Sequence, residues 1–550
     1  MSVPAPLSDA IPEETVRVAR AAFPKGNVFM RMHDELGPLY RSPQFAALFS
    51  HTGQPAEDPA RLALVLVMQF AEGLSDRQAA DAVRGRIDWK YVLGLELTDP
   101  GFDASILSEF RTRLIHGEAT HLLLENLLTL LHERGLLKAR GTQRTDSTHV
   151  LAAIRTLNRL ELVGETMRFA LNRLAVVAPA WLRAHMPPAW LERYGARVEN
   201  YRLPKTDTER QRLAALIGAD GFTLLQTAYA PEAPSEVRTA PAVEVLRQIW
   251  MQQYYGPEDP PRWRQDRDVP PAAQLIHSPY DLEARYSIKR GMAWVGYKAH
   301  LSETCDDETP HVITHVETTP ATTPDDNMLE TIHPALAAKG LLPHAHLVDC
   351  GYTDAETLVK STQEYGVTVV GPVAADPSWQ AREGTGFDNT AFTINWETHT
   401  ATCPHGKQSR KWQPDHDVTG QEVIQMRFAK KDCHACVARP ACTRAKTEPR
   451  TLTVRTQVYH EALQAARRHQ TTGEFKEHYA DRAGIEGTLS QAVRRFDLRR
   501  SRYIGLAKTH LQHILSAVAI NVVRVMAWFT DPHPTKPRVS AFAALAASPG

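Results

Sequence analysis

The sequence predicts an α/β protein, and two observations carry that expectation. Five runs rich in apolar and β-branched residues, at 139–154, 293–303, 312–318, 344–349 and 367–373, are bounded by turn residues, as strands are. Long segments with helical apolar spacing precede, interrupt and follow them. Three strands, a helix, a strand, a helix and a strand build a core of mixed pairing.

At 550 residues the chain is long enough for three or four units with real cores. Its 43% hydrophobic and 23% charged residues are those of a globular protein, which excludes wholesale disorder. Residues 1–14 are proline-rich and acidic, without the basic and apolar regions of a secretory signal. The most apolar run, 514–523, is too short to span a bilayer and holds Ser516 and Asn521. A cytoplasmic protein with no membrane partner is therefore expected.

The first 138 residues read as helical. Pro59 to Glu72 has apolar periodicity, Ser75 to Gln78 is a capping box, and Asp103 is placed to cap a helix from Ala104. Arg77, Arg84, Arg86, Arg111 and Arg113 suit DNA contact, and an all-helical dimerisation unit fits equally. From Ala139 the texture changes to a strand carrying Asp146. Residues 155 to about 271 return to a helical pattern. The expected division is a helical N-terminal domain (1–138, DNA binding or dimerisation), a first core strand (139–156), a mainly helical insertion (157–289), a central core (290–373), a Cys-rich module (374–458), C-terminal catalytic and basic helices (459–530) and a loosely ordered tail (531–550).

The densest chemistry lies at 479–508. In a helix, Tyr479, Arg482 and Glu486 share one face. A carboxylate there offers a metal a hard oxygen, and the guanidinium fork suits a phosphate. Arg494, Arg495, Arg499, Arg500, Arg502 and Lys508 follow as a track matching a polyanion backbone. The stretch holds seven basic against three acidic residues in a chain of zero formal charge, so positive charge is concentrated beside a carboxylate.

Two further acids stand in or after strand-like runs. Asp146 lies between Thr145 and Ser147, where capping does not explain it. Asp349 ends the run from His344. A strand-terminal Asp can hold a cation outside the sheet. With Glu486 they give the three carboxylates that a two-metal phosphodiester site needs. Asp325, Asp326 and Asp354 rank lower, because they sit at expected helix starts and capping accounts for them.

The cysteines are Cys305, Cys350, Cys403, Cys433, Cys436 and Cys442. The last four fall in one region, and the Cys-x-x-Cys pair fits a structural zinc site closed by Cys403 and Cys442. His405 and His434 are alternative ligands, and reduced thiols without metal are the other reading. Cys305 and Cys350 read as bystanders.

The ordered set of motifs resembles the DDE transposases of bacterial insertion sequences. The carrying residues are Thr145-Asp146-Ser147, then Val348-Asp349-Cys350-Gly351-Tyr352, then Tyr479-x2-Arg482-x3-Glu486, followed by the basic run to Lys508. The resemblance implies an RNase H-like core and a catalytic triad of Asp146, Asp349 and Glu486. It also implies two Mg²⁺ ions (Mn²⁺ able to substitute), cleavage and strand transfer at element ends, and double-stranded DNA as partner. A homodimer acting at the nucleoid is the mechanical expectation. The family usually carries a Lys seven residues after the Glu. Here that position is Val493, and Arg494 follows it.

Overall fold

The computed structural model describes Ser2, residues 10–257, 260–289 and 291–531, and Phe542. The expected tail lies almost wholly outside the described residues. β-Branched and polar residues alternate along Thr142–Leu151, and they form a strand (β1) buried on both faces. With β2 (Arg285–Lys289), β3 (Met292–Thr304), β4 (Ile313–Pro320), β5 (Ala345–Leu347) and β6 (Thr368–Val370) it makes one six-stranded sheet. The order is β2–β3–β1–β5–β6, with β4 also paired to β3. β3 runs antiparallel to β1, β2 and β4, whereas β5 lies parallel to β1 and β6. Register sets Arg144 opposite Glu303 and Asp146 opposite Leu301. Gly296 (φ +155°) is needed where β3 meets β1, because an added Cβ would lie 2.1 Å from the Val150 carbonyl oxygen.

The N-terminal helices do not keep a core of their own. One apolar cluster runs from Ala19 through the sheet to Met526. The closing helix Leu506–Thr530 joins the parts, packing on β4 and on the helices Pro59–Glu72 and Leu122–Glu133. By length and composition it could cross a membrane, yet most of its apolar length is buried inside the protein. Its polar residues have work in that interior. Asn521 accepts from the Ile313 N–H (2.7 Å) and donates to the Ile313 carbonyl (2.8 Å), and His513 bonds Thr318 (2.7 Å).

Local signals placed the early helices well. Pro59–Glu72 is a helix capped by Asp58, and Ser75 and Gln78 close the capping box of Asp76–Gly85. The Asp103 carboxylate accepts from Ser105 N–H at 2.9 Å, though the helix starts at Ser105. Four of the five arginines read as suiting DNA contact have partners within this unit, and only Arg111 is buried. Arg84 pairs with Asp81, Arg86 with Glu72 and Asp88, and Arg111 with Asp76, while Arg113 lies over Phe49.

The insertion has a separate core around Trp250 and Tyr254, formed by helices that include Arg159–Val177, Asp207–Ala228 and Pro241–Gln253. Its helical pattern stops at Gln253 rather than near 271. Pro257, Pro260, Pro261, Pro270 and Pro271 lack the N–H donors a helix requires. The region 374–458 forms two small sheets, β7–β8 (Thr393–Asn395, Thr400–Thr402) and β9–β10–β11 (Lys411–His416, Glu422–Arg427, Thr451–Arg455).

Several histidines are buried in the sheet core. Burial pushes the imidazoles of His300 and His333 down to about 4 and that of His513 to about 3. The unfolded chain protonates them near 6.5. Between these values the unfolded state binds more protons, so stability is complete above pH 6.5 and falls as the pH drops. By pH 5 the loss is about 2 kcal/mol per histidine. The urea midpoint is expected to fall clearly between pH 7 and pH 5. Equal midpoints would mean that these rings take up protons in the folded state.

Candidate active site

Side chains alternate along β1, so Arg144, Asp146 and Thr148 share one face while Thr145 and Ser147 share the other. The first face is covered by the helix Gly484–Phe496, reached through a 3₁₀ turn at Asp481–Ala483 from the helix Gly473–Ala480, whose Phe475 packs with Leu347 of β5 and Val370 of β6. The single helix expected through Tyr479, Arg482 and Glu486 is thus tightened at its middle, and the row survives. Arg482 Nη2 donates to Asp146 Oδ2 at 2.7 Å, and its Nη1 lies 3.5 Å from Glu486 Oε1. Arg482 and Asp146 are 14% and 13% exposed, whereas Glu486 is 71% exposed. Arg482 therefore links the first and third acids, and its Nε–H is buried without a hydrogen-bond partner.

Asp349 follows β5 and accepts from the Gly351 N–H at 2.9 Å. Burial raises the Asp146 carboxyl above its ordinary value, Arg482 opposes this, and the Asp349 charge adds to it. Tyr479 stacks on Phe475, with ring centres 5.3 Å apart. Burial lifts its phenol, Arg482 opposes, and the charges of Asp349 and Asp146 lift it further. Asp146, Arg482 and Glu486 therefore meet through ion pairs, and the Asp349 charge is felt at both Asp146 and Tyr479.

A buried network fixes this meeting. Glu303, fully buried, accepts from Arg144 Nε (2.7 Å), Arg524 Nη1 (2.7 Å) and Thr488 Oγ1 (2.6 Å). Arg144 also donates to the Asp481 carbonyl, in the turn before Glu486. Gly484 makes the approach feasible, because a Cβ there would stand 2.1 Å from Arg144 Nη1. Sequence reasoning singled out none of these residues. The one available signal was Arg144, which shares the strand face of Asp146.

The second face of β1 carries another set. Ser147 Oγ donates to Asp325 Oδ2 (3.1 Å), and Lys298 Nζ donates to Asp325 Oδ1 (2.8 Å). Tyr352 bonds His300 Nδ1 at 2.7 Å. Asp325 is not the helix cap the sequence suggested, since that helix begins at Leu329. Burial alone would raise its carboxyl, and the Lys298 ammonium holds it below the ordinary value. Asp354 does cap, accepting from Thr357 N–H at 2.7 Å.

The basic run leaves the helix at Asp497, whose left-handed conformation (φ +51°) turns the chain onto the end of β1. There Leu151 N–H donates to the Arg499 carbonyl, and Arg499 Nε donates to Thr148 on the Asp146 face (2.9 Å). Arg494, Arg495, Arg499, Arg500, Arg502 and Lys508 are all exposed. Arg502 is also held, lying 4.8 Å over the Phe70 ring and donating to the Leu74 carbonyl. Val493 is half-buried, so the outward basic position after Glu486 is Arg494.

The carboxylates are hard oxygen donors, and the burial of Asp146 beside the charge of Asp349 is a strain that a divalent cation would relieve. The donor set fits such an ion. Among the described residues, however, no three His, Cys, Asp or Glu side chains converge closely enough to hold one. At the acids the physical reason is Arg482, which stands between Asp146 and Glu486 as their present counter-charge. The four clustered cysteines are free thiols lining one cavity, Cys305 is buried, and Cys350 is exposed beside Asp349.

Two families match the chain. One, described as a transposase DDE domain, matches residues 402–526, which contain Glu486, the basic run and the clustered cysteines. The other, described as a transposase domain, matches residues 17–113 in the N-terminal helices. No curated protein matches the chain.

Proposed function

We infer that this DDE-type insertion-sequence transposase, as its two family matches indicate it to be, cuts DNA at the ends of its element and joins the freed 3′-hydroxyls to a target. The observation that carries the reading is the ion-paired row Asp146–Arg482–Glu486, with the Asp349 charge felt at Asp146 and Tyr479. The strand order β4–β3–β1–β5–β6, with three antiparallel strands followed by two parallel ones, supports an RNase H-like core.

Asp146, Asp349 and Glu486 would hold Mg²⁺ or Mn²⁺, which when bound supplies Lewis-acid activation of a water or 3′-hydroxyl and stabilises the leaving oxygen. The chain's own groups do the positioning. Ser147 N–H bonds Asp146 Oδ1 (2.7 Å) and fixes that carboxylate. The unpartnered Nε–H of Arg482 is the donor for a non-bridging phosphate oxygen. Tyr479 walls the site beside Asp349. Arg494, Arg495, Arg499, Arg500 and Lys508 carry the DNA backbone away from it, with Arg502 anchoring the run to the N-terminal helices. A homodimer on DNA would bring two ends together.

The test is incubation of the purified chain with labelled linear DNA carrying the ends of its own element, in Mg²⁺, Mn²⁺ or EDTA. End-specific nicks and joined products, lost in EDTA, are expected. Nicks without joining in Mg²⁺ or Mn²⁺, lost in EDTA, would make the chain a metal-dependent nuclease. Bound ends without any cut would make it a non-catalytic DNA-binding protein.

A further inference from the structure

The Cys-rich unit is under-supplied with core. Its buried apolar cluster consists of Phe392, Ala401, Ile424, Met426, Phe428, Leu452 and Val454, for a stretch of some eighty residues. Units with so little buried surface ordinarily need a covalent or metal staple. Here four thiols, those of Cys403, Cys433, Cys436 and Cys442, line one cavity, and none is in a disulfide.

Two features of that cavity answer to a charged metal–thiolate centre. The turn Cys403-Pro404-His405-Gly406-Lys407 closes through Gly406 in the left-handed region (φ +75°) and a bond from Gly406 N–H to the Cys403 carbonyl (2.8 Å). It thereby aims the Lys407 N–H at Cys403 Sγ, 3.3 Å away. A backbone donor on sulfur favours the thiolate. Two guanidinium N–H groups on residues that line the same cavity, Arg439 Nη1 and Arg450 Nε, are buried without hydrogen-bond partners. Four thiolates around one divalent cation leave two negative charges, and two arginines are present to offset them.

The geometry points to a structural Zn²⁺ site formed by Cys403, Cys433, Cys436 and Cys442, with Arg439 and Arg450 as its counter-charges. Each thiol releases its proton to solvent as its sulfur binds the metal, and no redox change occurs. Among the described residues the four thiols line the cavity without standing close enough together to hold an ion, so the metal must draw them in as it binds. His434 Nε2 bonds the Thr447 carbonyl (3.0 Å), and the four thiols make a complete ligand set without this ring. Four protein ligands leave no open position, so the centre is structural. Its place in the chain gives it a task. β11 leads directly into the helix Gln457–His469, which packs on the helix Ala355–Tyr365 and continues toward Tyr479 and Arg482. The proposal does not depend on the transposition reading.

The test is metal analysis of the purified full chain, followed by exchange of its metal for Co²⁺. About one zinc per chain is expected, with thiolate-to-cobalt charge-transfer and d–d bands of a four-sulfur site after exchange. Cys436→Ser should lower zinc retention under a chelator by roughly tenfold or more, while Cys305→Ser leaves it unchanged. If Cys436→Ser does not fold, the wild-type cobalt spectrum alone decides. Six titratable thiols with neither zinc nor cobalt bands would overturn the proposal. So would two disulfides, or equal zinc loss in the Cys305 variant.

Discussion

Asp146→Asn and Glu486→Gln are each expected to lower strand cleavage by about 10³-fold or more, equivalent to roughly 4 kcal/mol of transition-state stabilisation. Both substitutions preserve shape and remove only charge. Asp146 is the more informative, because it is nearly buried and its carboxylate faces Arg482 at 2.7 Å. The stability cost should be small. The change removes one half of a close ion pair, but it also removes a buried charge that burial itself disfavours. Glu486 is largely exposed, so its loss should leave the unfolding midpoint unmoved. The measurement is single-turnover cleavage of end-bearing DNA beside a filter-binding assay. Cleavage within tenfold of wild type for either variant would remove that residue from the catalytic set. Lost binding with normal cleavage per bound complex would instead make it a docking residue.

Glu303→Ala should be among the most destabilising single changes in the core, costing about 3–5 kcal/mol. The carboxylate is fully buried and satisfies Arg144, Arg524 and Thr488 together. Its removal leaves two guanidinium groups in the interior without their charge partner. Glu303→Gln keeps one acceptor and should cost less. A urea midpoint series across wild type, Gln and Ala checks the order. The network also ties the helix bearing Glu486 to the strand bearing Asp146. Cleavage should therefore fall further than the unfolded fraction explains. A loss under about 1 kcal/mol for the alanine variant would mean that the arginines find other partners.

Asp146 stood out as a candidate by breaking a local rule and Glu486 by completing a pattern, whereas Asp349 caps the turn at Cys350–Tyr352 as local rules allow. Asp146 sits in a strand where no cap is needed, and Glu486 completes a helical row with Arg482 and Tyr479. The supporting groups broke none. Glu303 reads as the polar end of a strand, and Thr488 and Arg524 as ordinary helix residues. Their roles arise from pairings 159 to 221 positions apart in sequence. Asp325 was misread for a related reason. A helix pattern follows it, so capping accounted for it, while the partners that claim it, Ser147 and Lys298, lie on other strands. The N-terminal arginines were legible as charge but not as pairs. Their acidic partners, Glu72, Asp88 and Asp76, are brought to them by the fold.

The closing helix has a consequence for how the protein is made. Its faces complete both the N-terminal helical layer and β4 of the sheet, and Asn521 seals the edge of β4 at Ile313. The ribosome delivers this helix after every other element of that core. The N-terminal helices, although synthesised first, must wait with an open apolar groove until Leu506–Thr530 emerges. Any product stopped before that point keeps the groove open, and exposed surface of that kind invites chaperones and proteases. Catalytic competence and escape from quality control thus arrive together, at the same late step of translation.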